Sequence, residues 1–175
     1  MAGVKTDRII QAAIAVCLAG LAWVVAATYR EKVVVPGDSA PGFTVTTDAG
    51  RTLSPTSFGG KLLVVHFWAT WCPPCVTEMP SLDAFQRQYA SAGVVVLGIS
   101  VDENAQAYRS FLQRMKVSFA TARDPEAGIA SSYGTWQYPE TYIVDREGKV
   151  LEKVISNADW MDPERQSSIR RMLGS

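Results

Sequence analysis

The sequence predicts an α/β domain: a mixed central sheet of about five strands flanked by helices on both faces. Three observations carry this. Apolar strand segments alternate with amphipathic helical segments through the middle of the chain, an antiparallel hairpin followed by a last helix closes it, and the composition is that of one ordinary folded domain. The chain has 175 residues, 47% hydrophobic and 19% charged. Lys and Arg total 17, as do Asp and Glu, so no excess of positive charge is available to hold a phosphate backbone and nucleic acid is excluded as a partner.

Residues 43–46 alternate as a half-buried strand does, Asp48-Ala49-Gly50 supplies a turn, and Arg51-Thr52-Leu53 returns as the partner, giving an N-terminal β-hairpin. Leu62 to Trp68 is apolar on both alternate faces except at His66, the pattern of a strand buried on both sides and so of the sheet's centre. From Pro73 the period changes: Val76, Met79, Leu82, Phe85 and Tyr89 recur mostly at three and four, which makes an amphipathic helix, with Pro80 expected to kink it. Gly93 ends it, and Val94 to Ile99 is a second buried strand joined by a βαβ connection.

Asn104 is placed to cap a helix whose stripe is Ala105, Tyr108, Phe111, Leu112 and Met115. Residues 119–121 read as a short strand, and Asp124-Pro125-Glu126 as the opening of a short helix through Tyr133, with proline at its first position. Residues 141–145 and 149–154 flank Arg146-Glu147-Gly148 as an antiparallel hairpin. Residues 163–173 form the last helix, packing Ile169, Met172 and Leu173.

Ahead of all this lies an uncharged apolar run, Ile9 to Tyr29, flanked by Lys5 and Arg8 on one side and Arg30 and Lys32 on the other. At about 1.5 Å per residue a helix of that length crosses roughly 30 Å of hydrocarbon. The expectation is an uncleaved membrane anchor over residues 1–30, meeting the lipid bilayer through residues 9–29, then a linker over 31–40 and the folded domain over 41–175. A cleaved signal peptide ending near Val25-Ala26-Ala27 is the alternative, although the run exceeds the roughly 7–15 apolar residues usual for one. Lys and Arg are balanced across the run, so they do not orient it. Cys17, in its middle, is assigned no chemistry.

Trp71-Cys72-Pro73-Pro74-Cys75 falls where the central strand gives way to the long helix. As a structural staple the pair closes a loop too short to remove much unfolded-state entropy. As a zinc site it lacks two more Cys or His ligands, so no metal is assigned. As a redox pair it makes physical sense, because a thiolate at a helix N-terminus is stabilised by the dipole and by free amide donors. Cys72, at the helix start and expected to be partly exposed, is then the nucleophile, and Cys75, one turn in, resolves. Pro73 and Pro74 carry no N–H, which leaves the Cys75 amide as the one assured donor near Cys72. A different class of function is also open: a tethered copper or haem-assembly chaperone holding Cu(I) between two thiolates.

The run FWATWCPPC, the following Glu78-Met79-Pro80, and the segment Tyr138-Pro139-Glu140-Thr141-Tyr142-Ile143-Val144-Asp145 resemble the TlpA/ResA type of membrane-anchored thiol–disulfide oxidoreductases within the thioredoxin superfamily, over residues 38–173. The resemblance implies a thioredoxin-like fold and a catalytic domain on the extracytoplasmic, periplasmic side of the cytoplasmic membrane. It also implies a dithiol that reduces disulfides in client proteins such as apocytochromes c or copper-site assembly factors, fed by a membrane thiol–disulfide electron donor. Net oxidation or isomerisation is the alternative within the same chemistry. No separate cofactor is expected, since the redox group is the Cys72–Cys75 disulfide itself. The resemblance makes Pro139 cis and packed against the cysteines, with the Tyr138 backbone bordering the client; Trp71, adjacent to Cys72, is read separately as a client contact, against the plainer reading of a core aromatic. It makes Glu78 a partly buried acid that tunes the thiols, against the plainer reading of a solvated helix-surface carboxylate. His66 stands where other thioredoxins carry a buried acid beneath the second cysteine; it is either a hydrogen-bonded core histidine or a proton acceptor for Cys75.

Overall fold

The computed structural model describes residues 3–28 and 33–174. They fall into two compact units, Met1–Lys32 and Val33–Ser175.

The first unit is one helix, α1 (Gly3–Thr28). Among the described residues no helix is long and apolar enough to cross a membrane. The expected single-pass anchor, and with it the placement of the chain in the cytoplasmic membrane, is corrected on this finding. Tyr29, Arg30 and the first two residues of the expected linker, Glu31 and Lys32, lie outside the described residues.

The second unit opens with a segment that the sequence reads as linker but that is tied into the domain. Val34 donates its N–H to the Tyr133 carbonyl at 3.1 Å, Gly37 to Val150 at 2.8 Å and Ala40 to Gly148 at 2.8 Å, and Val34 is buried. The hairpin β1 (Val45–Thr46) and β2 (Thr52–Leu53) follows. Then come β3 (Leu62–Trp68), α2 (Pro73–Tyr89), β4 (Val94–Ser100), α3 (Ala105–Met115), β5 (Ala120–Arg123), α4 (Gly128–Ser132), β6 (Glu140–Asp145), β7 (Val150–Ile155) and α5 (Pro163–Gly174). Strands β3 to β7 form one mixed sheet in the order β5-β4-β3-β6-β7, with β3, β4 and β5 parallel and β6 and β7 antiparallel to their neighbours.

The expected elements are present, with two differences of detail. Helix α2 runs unbroken through Pro80. The short helix does not start on Pro125; it starts at Gly128, after Ala127 takes a left-handed conformation with φ of 51°. The Asp124 carboxylate reaches forward to accept the Gly128 and Ile129 amides, at 3.3 and 2.7 Å, and so satisfies the first turn from outside the helix. Asn104 caps α3 as expected, accepting the Gln106 and Ala107 amides at 2.9 and 3.0 Å.

The crossovers β3-α2-β4 and β4-α3-β5 step in one direction along the sheet, and right-handed connections therefore put α2 and α3 on one face. On that face Trp68 packs against Tyr108 and Phe111 of α3, with centroids at 5.9 and 5.3 Å, and α2 meets the chain leading into α5 through Phe85 and Trp160 at 5.3 Å. On the other face Phe67 and Tyr142 meet Tyr133, just past α4, at 5.3 and 4.8 Å.

Gly98, opposite His66 in the β3–β4 register, lies under the Trp68 ring that leads into the cysteine turn. A Cβ there would come within 2.9 Å of the Phe119 ring and 3.1 Å of Trp68 Nε1. Gly98→Ala is therefore expected to lose about 1–3 kcal/mol of stability by overpacking, read as a lower denaturant midpoint at unchanged slope; an unchanged midpoint contradicts the packing described.

Candidate active site

The site is built on the turn that leaves β3. Pairing with β4 continues past the strand through the Val101 amide to the Trp68 carbonyl at 3.0 Å. Beyond it, buried Asp102 holds the turn: its carboxylate accepts the Thr70 amide at 2.9 Å, the Thr70 hydroxyl at 2.6 Å and the Ser100 hydroxyl at 2.6 Å. Sequence reasoning missed Asp102; its one signal was an acid two residues past the end of a buried strand.

Cys72 is the N-cap of α2 and Pro73 and Pro74 occupy the first two helical positions, where a missing N–H costs the helix nothing. Cys72 and Cys75 form a disulfide with Cα atoms 5.3 Å apart. The Cys75 amide donates to Cys72 Sγ at 3.3 Å, the one first-turn donor that the two prolines leave in place. Cys72 is 5% exposed and Cys75 fully buried. The expectation that Cys72 is partly exposed is corrected: capping the helix within the disulfide encloses it almost as fully as Cys75.

Glu78 follows Cys75 by three residues on α2 and is only 2% exposed, so it is not a solvated surface carboxylate. Its Oε1 accepts the indole N–H of Trp160, and Oε2 has no hydrogen-bond partner among the described residues. Burial pushes Glu78 up to about 7, against the opposing pull of Trp160, the Ala158 backbone and the Arg165 guanidinium. His66, also fully buried, binds Thr141 Oγ1 through Nδ1 at 2.9 Å while Nε2 lacks a partner among the described residues. Burial pushes it down, to about 3, so the ring is neutral at ordinary pH. Of the two groups singled out for proton transfer, only Glu78 changes charge near neutrality.

The opposite border is the loop before β6. The Tyr138–Pro139 peptide bond is cis, and the Tyr138 ring stands edge-on to Trp71 with centroids 6.0 Å apart. That contact joins the cysteine turn to the proline loop. Trp71 is 63% exposed, and Trp136 in the same loop is 80% exposed and was missed in the sequence. The loop is held from below: Tyr142 hydroxyl donates to the Tyr133 carbonyl at 3.1 Å and lies 3.1 Å from Thr135 Oγ1. Glu140, next to Pro139 and likewise missed, is buried and paired with Lys153 at 2.7 Å. Among the described residues no group of three or more His, Cys, Asp or Glu is placed to hold a metal ion.

A five-stranded α/β sheet with a CXXC disulfide at the end of its central strand and a cis-proline opposite defines a thioredoxin-like redox protein. A family model described as the AhpC/TSA family matches residues 36–153. The thiol-disulfide oxidoreductase ResA of Bacillus thuringiensis subsp. konkukian (strain 97-27) is 32% identical over 127 residues, covering 73% of each chain. The thioredoxin-like protein YneN of Bacillus subtilis (strain 168) is 35% identical over 134 residues, covering 74% of this chain and 78% of its own. Among solved structures, one described as a thiol:disulfide interchange protein DsbE from Chlorobium tepidum superposes with a TM-score of 0.74 at 26% identity, over 82% of this chain and all of that one. The chain belongs to the AhpC/TSA family and, with these relatives, to the thiol–disulfide oxidoreductases of thioredoxin-like fold.

The buried acid sets a pH signature. Folded Glu78 keeps its proton up to about 7 where the free side chain releases it near 4.5, so between those values the unfolded chain binds fewer protons and stability falls as pH rises. Glu78→Gln removes that penalty. In urea unfolding of the oxidised protein the variant is expected to gain on the parent by up to about 3 kcal/mol between pH 4 and pH 8; a difference that stays constant with pH contradicts the burial assigned to Glu78.

Proposed function

We propose that the protein reduces disulfides in client proteins, with Cys72 as nucleophile, Cys75 as resolving thiol and Glu78 as the proton carrier. The observation that carries the reading is the arrangement along α2: a disulfide whose first sulfur caps the helix, and one turn beyond the second sulfur a buried acid that titrates near neutral pH. In the reduced protein the Cys72 thiolate attacks a client disulfide, forming a Cys72–client bond and releasing the other client sulfur as a thiolate. Cys75 gives its proton to the Glu78 carboxylate and attacks Cys72 Sγ, which expels the second client thiolate and forms the intramolecular disulfide. The client gains two electrons, the dithiol loses two, and the two client thiolates take up protons from Glu78 and from solvent. An external dithiol donor then restores Cys72 and Cys75.

Trp71 and the Tyr138–Pro139 segment border Cys72 and are the surfaces a client chain meets first. His66 is read as a core histidine held by Thr141, because an imidazole kept neutral down to about pH 3 is a weak acceptor for a thiol proton. Apocytochromes c and copper-site assembly proteins are the client class that the family resemblance suggests.

Order of attack is open to a direct trap. Reduced Cys75→Ser, mixed with a disulfide-bonded client peptide, is expected to accumulate a mixed disulfide through Cys72, seen as an adduct by mass spectrometry. Cys72→Ser is expected to accumulate almost none. Equal trapping by both variants contradicts the assigned roles.

A further inference from the structure

Glu78 does not hold its own geometry. Its carboxylate is buried, and among the described residues one side-chain hydrogen bond orients it, from the indole N–H of Trp160 on the chain leading into α5. That indole is fully buried and over-determined. Its ring packs on Phe85 of α2 at 5.3 Å, and the Arg165 guanidinium lies over it at 4.9 Å. Arg165 is in turn paired with Glu152 of β7 at 3.1 Å. The backbone is fastened at the same turn of α2: the Ser81 hydroxyl donates to the Glu78 carbonyl at 2.9 Å and accepts the Trp160 amide at 3.3 Å. So the loop is tied both to the Glu78 backbone and to its side chain.

An indole nitrogen donates and cannot accept. Whichever carboxylate oxygen it meets is the better acceptor, which is the carbonyl oxygen of a protonated acid, and the proton is left for the other oxygen. We infer that Trp160 is a positioning residue whose N–H fixes Oε1 of Glu78 as acceptor, so that Oε2, the oxygen without a partner, is the atom that takes the Cys75 proton and returns it. This rests on the reading of Glu78 as proton carrier. The groups bearing on that carboxylate are Trp160 and the Ala158 backbone from the loop before α5 and the Arg165 guanidinium from α5, with Cys75 three residues back on the same helix. The loop's other fastening, through Ser81, reaches the backbone only.

Trp160→Phe keeps a ring against Phe85 and under Arg165 but removes the N–H. In the oxidised full chain, the carboxylic C=O stretch of Glu78 is assigned by infrared difference against Glu78→Gln and titrated. With Trp160→Phe the stretch is expected to move to higher frequency, because the carbonyl loses its donor, and the titration midpoint to rise by roughly one pH unit, because the charged form loses a hydrogen bond. The pH inflection of client reduction should move with it. An unmoved band and midpoint in a folded variant overturn the inference. Benzothienylalanine at position 160 keeps the bicyclic shape without the N–H and serves as the second variant if phenylalanine costs the fold. Should Glu78→Gln leave the pH profile of client reduction unchanged while the infrared shift occurs, the proton-carrier reading fails and the orienting contact survives. Should Glu78→Gln abolish the inflection while neither isostere moves band or inflection, the proton-carrier reading survives and the role of Trp160 fails.

Discussion

Strand β3 is buried along its whole length and has hydrogen-bonded neighbours on both sides, and the position of every group at the active end follows from that double constraint. Pairing with β4 carries on to Val101, which brings Asp102 under the turn that ends in Cys72. Pairing with β6 sets Phe67 opposite Glu140, the residue after Pro139, so the proline loop arrives beside the same strand end. The two borders of the site come from segments some 70 residues apart in sequence and meet because they share one central strand.

Removal of water does the electrical work. Glu78 and His66 are both buried and both short of partners, and burial drives their proton affinities in opposite directions because it always disfavours the charged form. The carboxyl is thereby brought to neutral pH and the imidazole taken away from it. The exchange inverts what free side chains do, where histidine is the group that titrates near neutrality. Next to a thiol pair whose chemistry turns on proton transfer, the shifted acid is the useful one.

The sequence reveals the local parts of this arrangement. Cys72, both prolines and Cys75 are adjacent, and their placement at a strand-to-helix change is readable from hydrophobic periodicity alone. Position 78 on the helix face of Cys75 is equally readable, but its burial is not, because that depends on Trp160, 82 residues away. Asp102 is hidden for the same reason: Thr70, which it holds, is 32 residues distant. Glu140 passes as one more strand residue until Lys153 is seen beside it. The start of α4 is misplaced because the rule for proline at a first helical turn is local, whereas the Asp124 carboxylate caps from four and five residues back. At the N-terminus apolar composition suggests a span, but among the described residues no helix is long and apolar enough to cross a membrane.

The proposed function has the Cys72–Cys75 couple giving electrons to clients. The equilibrium reduction potential of the Cys72–Cys75 couple, measured on the full chain against dithiothreitol or glutathione, tests this most directly. A reductant predicts a value near or below that of thioredoxin, about −270 mV, whereas a value near −120 mV, that of the strongest oxidants of this fold, contradicts it.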